Sequence, residues 1–319
     1  MSNVTILVNS CDLYEDAWEP FFRLLSIQWP NCPYDIVLNT ENKKFDCDYL
    51  NVRTVCTHEQ TWTCRIQEAL EAVNTEYVLF CLEDFFFLDK VDEVRFRQII
   101  QSMSEDKMIG FVKLLPIKHN KTAFQGKRYN EFFIEEPKMN PWRCNAVMAI
   151  WRKDFLREML FLRCDPWEFE FGASQLSLFS KKKCLYIPPD SNRMISYSFQ
   201  VQNGIGITRK KWLKGNVELF QTYGIKVNFE RLGFLEETEP APISIIQPDE
   251  EERTIEEKSP LLRKTRKVIR RVRKKWSRSA QNKKVRAFLK PHLKFILWFL
   301  PRYGKYRKHR KEIYMGEKN

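Results

Sequence analysis

Glu83 and Asp84 stand side by side at the end of an apolar run, in the stretch EYVLFCLEDFFFLDKVD. Paired carboxylates at a strand end can hold a divalent cation such as manganese or magnesium through hard oxygen ligands, and through it a diphosphate. A solvated strand terminus is the plainer reading of the same dipeptide. Glu168 and Glu170, in DPWEFEFGAS, sit among tryptophan and phenylalanine. Apolar surroundings raise a carboxyl pKa and make it a usable general base; alternatively, one glutamate caps a helix start and the other faces water. Arg65 precedes the acid strand and could face the strand-end crevice or pair with a surface acid. Arg209, Lys210 and Lys211 form a late basic loop suited to closing over phosphates, unless it is only a solvated charge run. The four histidines (58, 119, 292, 309) form no cluster, which argues against a zinc site or histidine catalysis.

The elements that must position these groups alternate along the chain. Runs 4–8, 34–39, 51–56, 77–82, 108–115, 145–151 and 184–188 read as strands. Between them, Trp18, Phe21, Phe22, Leu25 and Trp29 recur at helical spacing, as do Ile66, Ala69, Leu70 and Val73, and Phe96, Ile99, Ile100 and Met103 after a cap at Asp92. Pro166 opens a helix through the DPWEFEFGAS block. Residues 118–142 read as an excursion and 192–212 as irregular chain. Strands apolar on both faces, alternating with helices, predict an α/β fold with a mostly parallel central sheet flanked by helices. Ligands gather at the carboxyl edge of such sheets. Ser10 and Asp12 after the first strand, Asn39 after the second, and Glu83 and Asp84 after the fourth all fall there.

No GxGxxG follows a strand and no GxxxxGK[ST] occurs, so a bound nucleotide is not cradled by a glycine loop. Nine cysteines without CxxC spacing read as structural thiols in a reducing compartment. The N-terminal segment lacks the charged-then-apolar pattern of an export signal, which suggests the cytoplasm.

The net charge of +13 is unevenly placed. Residues 259–319 hold 22 Lys/Arg and 2 Asp/Glu, a charge of +20, so the first 258 residues stand at −7. The sequence divides into a catalytic domain (1–235), an acidic, proline-bearing linker (236–258) and a basic helical extension (259–319). The apolar knot FILWFL within that tail is too short to span a bilayer, which takes ~20 residues. Beside Trp276, Trp298, Tyr303 and Tyr306 it suits an interfacial, monotopic anchor on anionic lipid. Nucleic acid is the less favoured ligand.

Taken in order, ILVNSCDLYEDAWEPFF, TWTCRIQEALEAVNTEYVLFCLEDFFFLDKVD, AIWRKDFL and DPWEFEFGAS resemble a group of bacterial GT-A-type glycosyltransferases of capsule, lipopolysaccharide and exopolysaccharide synthesis. The resemblance covers roughly residues 4–235. It implies a GT-A-like fold, a nucleotide-sugar donor and a glycan acceptor, plausibly lipid-linked, at the inner face of the membrane. Glu83 and Asp84 match the acid motif that binds metal and donor diphosphate. Glu170, with Glu168 as the alternative, matches the base. Ser10 and Asp12 match the first-strand loop that meets the nucleoside, and Arg65 a donor contact. Phe85 occupies the position of the motif's second acid, which puts the metal in question and leaves Arg65 and the basic loop as other sources of charge. A nucleotidyltransferase on a similar sheet, or a non-catalytic membrane- or nucleic-acid-binding scaffold, are the alternative readings.

Overall fold

A computed structural model describes residues 3–116, 126–138, 140, 142–188, 206–235 and 303–315. The chain forms two compact units, 1–242 and 243–319. The linker 236–258 and the anchor segment 259–302 lie outside the described residues.

In the first unit, β1 (Val4–Asn9), β2 (Asp35–Thr40), β3 (Val52–Cys56) and β4 (Tyr77–Leu82) pair in parallel. All six residues of β1 and five of the six of β4 are buried, so both faces of these strands must be covered. Helices α1 (Trp18–Gln28) and α2 (Trp62–Leu70) supply cover as the crossovers. A short 3-10 segment (Asp12–Ala17) leads into α1. On α1, Phe21 and Phe22 are fully buried and meet edge to face at 5.2 Å; each such ring stabilises the fold by about 1.5–3 kcal/mol. Thr61 caps α2 by accepting the N–H of Cys64, and Asp92 caps α3 (Glu93–Glu105) by accepting that of Arg95 at 3.0 Å.

The remaining strands are β5 (Ile109–Pro116), β6 (Lys127–Arg128), β7 (Ile134–Glu135), β8 (Ala149–Arg152) and β9 (Lys183–Ile187). The sheet order is β3-β2-β1-β4-β8-β5-β9-β7-β6. β8 and β7 run against the other strands, so the sheet is mostly parallel and flanked by helices. The excursion 118–142 contributes the small edge strands β6 and β7. The segment read as irregular contains a hairpin, β10 (Ile207–Thr208) with β11 (Lys211–Trp212). Helices α4 (Lys153–Met159) and α5 (Pro166–Leu176) follow β8, and α6 (Gly215–Thr222) follows the hairpin. All nine cysteines are free.

In the second unit, α7 (Tyr303–Met315) carries five Lys/Arg residues with one glutamate, Glu312, at ion-pair range of Lys308. Among the described residues no helix is long and apolar enough to cross a membrane.

Candidate active site

β4 delivers Glu83 and Asp84 beyond its last residue, at the edge where β1 and β2 also end. A turn closed by the Phe85 N–H on the Leu82 carbonyl (3.2 Å) drops Phe85, Phe86 and Phe87 into the core. That burial explains the aromatic return after two acids, and Phe85, with no side-chain oxygen to offer, serves the core. The acids are themselves largely enclosed, at 4% and 9% exposure. Burial, then the neighbouring Asp84 charge, holds Glu83 well above the usual carboxylate range. Burial pushes Asp84 up to about 7.

Groups from three other elements converge on this pair. Ser10, after β1, lies close enough to favour the charged form of Glu83 and accepts the indole N–H of Trp18 at 2.7 Å. Arg65, on α2, lies close enough to favour the charged form of Glu83 and is paired with Glu41. Asp84 receives the N–H of Ile207 on its carboxylate (3.4 Å) and that of Gly206 on its carbonyl (2.8 Å). The chain from Gly206 enters the hairpin whose two-residue turn is Arg209–Lys210. Both turn residues have left-handed φ values, 50° and 62°, where glycine or asparagine is usual. The basic segment is therefore anchored to the acid pair by its first residues, with Lys211 on β11.

Two further residues of the loop after β1 belong here as well: Cys11, which falls at that strand edge in the sequence, and Tyr14, which sequence reasoning missed. Tyr14 and Cys11 titrate high, first through burial and then through the Glu83 charge; Cys11 is pushed up to about 11. Their positions in the loop after β1 were the available signal.

Asp12 stands after β1, as expected, with its carboxylate engaged by a neighbouring loop, whereas Asn39 takes a different place. Asp12 accepts the N–H groups of Glu41, Asn42 and Lys43 at 3.0–3.1 Å. Burial works against its charged form, but these donors prevail and hold its pKa below the ordinary value. It thus braces the loop that carries Glu41, the partner of Arg65. Asn39 lies inside β2 rather than beyond it, with no exposed surface. Its amide donates to Asn9 Oδ1 and accepts from Thr57 Oγ1, both at 2.7 Å. A side chain so enclosed is a rung between strand ends, not a ligand contact.

The two candidate bases also separate. Glu168 forms the third-residue half of a capping box with Asp165 at the start of α5. Glu170 faces inward and accepts the N–H of Ala146 at 2.9 Å. Burial raises its pKa, while that N–H and the Lys113 charge oppose the rise. Ala146 lies three residues before β8, whose Ala149 is paired with Phe80 of β4, three residues before Glu83. Trp62 on α2 bridges Phe80 and Phe169 at ring distances of 6.1 and 5.3 Å, so α2 and α5 cover the same face of β4. Ser174 and Ser177, one and two turns beyond Glu170, bond Cys144 and Arg143. The 143–146 segment is thereby strapped along one stripe of α5.

Among the described residues no cluster of three or more potential metal ligands occurs. Glu83 and Asp84 supply two hard carboxylates in a buried site that disfavours their unneutralised charge. That donor set fits an ion of the magnesium type, which takes one or two carboxylates and completes its shell with substrate phosphate and water, and does not fit an ion needing a full protein cage.

The sequence matches no family model and no curated protein. Among solved structures, TarS from S. aureus aligns at 14% identity and TM-score 0.37, over 58% of this chain and 36% of TarS. The mannosyltransferase PcManGT from Pyrobaculum calidifontis, in complex with GDP-Man and Mn2+, aligns at 12% and 0.38, over 59% of this chain and 55% of that one. A cytidylyltransferase from Leptospira borgpetersenii aligns at 13% and 0.39, over 70% and 96%. The chain thus spans about a third of TarS and just over half of the mannosyltransferase. At these identities and TM-scores the likeness identifies neither ligand nor reaction.

Proposed function

We propose that the chain is a glycosyltransferase that moves a sugar from a nucleotide-sugar donor to a hydroxyl of a glycan acceptor, in surface polysaccharide synthesis at the inner face of the membrane. The observation that carries this reading is the buried Glu83–Asp84 pair at the carboxyl edge of β4, met there by Ser10, Arg65 and the root of a basic hairpin. Buried, mutually repelling carboxylates with cations nearby suit an anionic ligand bridged by positive charge.

In this reading Ser10 and the loop braced by Asp12 meet the nucleoside. Arg65 and the Arg209–Lys211 hairpin hold the diphosphate, stabilising charge as it develops on the leaving group. A divalent ion held by Glu83 and Asp84 would neutralise that diphosphate. Glu170 takes the proton of the acceptor hydroxyl, while the Ala146 N–H fixes the orientation of its carboxylate. One base and no evident nucleophile imply a single displacement with inversion at the anomeric carbon.

A thermal-shift screen of nucleotide sugars, with and without Mn2+ or Mg2+, tests the reading, because a ligand that binds only the native state raises the melting temperature. The expected result is stabilisation by a nucleotide sugar, enhanced by metal and lost in Asp84→Asn. Stabilisation by nucleoside triphosphates alone would favour a nucleotidyltransferase, and no response to either would favour a scaffold.

A further inference from the structure

Trp142 has 52% of its surface exposed, yet buried side chains fix both of its backbone polar groups. Its carbonyl accepts from Lys113 Nζ at 2.7 Å, and its N–H donates to Asn140 Oδ1 at 3.1 Å. Lys113 and Glu136 pair at 2.6 Å with side chains 1% and 0% exposed. Asn140 closes the ring of bonds by donating to Glu136 Oε2 at 2.8 Å. Removing such a pair from water is costly, and apolar packing would stabilise a core as well. What this pair adds is position, since it fixes the backbone from which the indole projects. An exposed aromatic surface on a fixed backbone suits a flat, partly apolar ligand.

The sheet register indicates which ligand. Lys113 on β5 is opposite Ala149 on β8, and Ala149 is opposite Phe80 on β4. With strands about 4.8 Å apart, Lys113 lies roughly 10 Å across the sheet from the strand that ends in Glu83. Ser10 and Asp12 follow β1, on the opposite flank of β4. Four residues beyond Trp142, the Ala146 N–H holds Glu170. Trp167, 62% exposed, lies three residues before Glu170, on the same side of α5. Two exposed indoles therefore belong to the segments that carry and orient the proposed base, and Lys113, which holds the Trp142 carbonyl, is across β4 from Ser10 and Asp12.

We infer that Trp142, assisted by Trp167, is an acceptor platform that stacks on the C–H face of a pyranose ring and brings one of its hydroxyls to Glu170. The role assigned to Glu170 rests on the transferase reading; the stacking itself does not. A pyranose offers an apolar C–H face that matches an exposed indole. A nucleobase also stacks on indole and is the competing occupant.

The test is an NMR titration of the full-length chain labelled with nitrogen-15 at its indoles, with resonances assigned through Trp142→Phe and Trp167→Phe. Methyl β-glucopyranoside, methyl β-galactopyranoside, methyl α-mannopyranoside and cellotriose are added in turn, and UMP and CMP separately. The Trp142 indole signal should move with at least one of the sugars, and Trp142→Ala should bind that sugar roughly tenfold more weakly with an unchanged melting temperature. A Trp142 signal that moves only with UMP or CMP, or with no sugar at all, overturns the inference. Nucleotide sugars that fail to bind while the sugar shifts remain would defeat the transferase reading and leave the platform standing.

Discussion

The backbone carbonyl of Asp84 accepts the N–H of Gly206 at 2.8 Å. This bond joins the strand-end acid to the root of the basic hairpin, and it requires glycine. A Cβ at position 206 would stand 2.3 Å from Phe86 Cε2 and 3.1 Å from the Asp84 carbonyl oxygen. Phe86 is buried against Phe220 and Trp212 and has little room to yield. Gly206→Ala should therefore cost about 1–3 kcal/mol of stability and displace Arg209 and Lys210, weakening nucleotide-sugar binding. Denaturant unfolding and a donor titration check the two effects.

Glu168 and Glu170 stand in distinct settings, and under the transferase reading their amides should separate them. Glu170→Gln keeps the shape but cannot accept a proton, so turnover should fall by about 10²–10⁴ with the fold intact. Glu168→Gln perturbs only half of a capping box and should cost about 0.5–1 kcal/mol, with turnover within a few-fold of the parent. Turnover numbers and melting temperatures on both variants give the comparison.

The pH dependence follows from the direction of the Glu170 shift. Its folded-state pKa lies above its unfolded value because burial disfavours the charge. The associated stability is fully present below the unfolded pKa and is lost as pH rises through the folded pKa. Over the same interval the carboxylate appears, so turnover should rise while stability declines. Glu170→Gln should flatten this part of the stability profile, measured by melting temperature against pH.

Asp12 should act through the loop it braces. Asp12→Ala leaves the N–H groups of Glu41, Asn42 and Lys43 to water in place of their shared acceptor, at a cost of about 0.5–1.5 kcal/mol. Because Glu41 is the partner of Arg65, nucleotide-sugar affinity should also fall. Asp12 has a depressed pKa, so its contribution is present above the unfolded value and lost as pH falls through the folded one. A parent–variant stability difference that shrinks in acid is the expected signature.

The tail provides a separate prediction. Removing residues 259–319 takes away +20 of charge and should release the protein from vesicles containing anionic lipid, while nucleotide-sugar binding by the first unit persists. Co-sedimentation with anionic and neutral vesicles measures it, and retained binding to the anionic ones would refute the anchor.

Much of the fold was legible because burial on both faces leaves a strong mark on composition. β1, β4 and α3 fall within a residue or two of their expected places, and the Asp92 and Pro166 signals coincide with real helix starts. Strand direction was not legible. Nothing in AIWR indicates that β8 runs backwards between β4 and β5, although that reversal sets its first residue, Ala149, opposite both Phe80 and Lys113. The hairpin at 207–212 was hidden because its turn uses arginine and lysine where glycine or asparagine is usual. Asn39 was misplaced because one further residue of strand turns an edge position into an interior one. Lys113 left a clue, a lone lysine inside the apolar run GFVKLL, but its partner Glu136 lies in a segment without periodicity.

The central claim is that Glu83, Asp84 and Glu170 serve one glycosyl-transfer site. Its most direct test is product analysis after incubating the parent, Asp84→Asn and Glu170→Gln with a stabilising nucleotide sugar and a glycan acceptor. The account predicts release of nucleoside diphosphate with an elongated glycan by the parent, and a loss of at least about a hundredfold in each variant. Pyrophosphate as the leaving product, or parent-like turnover in both variants, would contradict it.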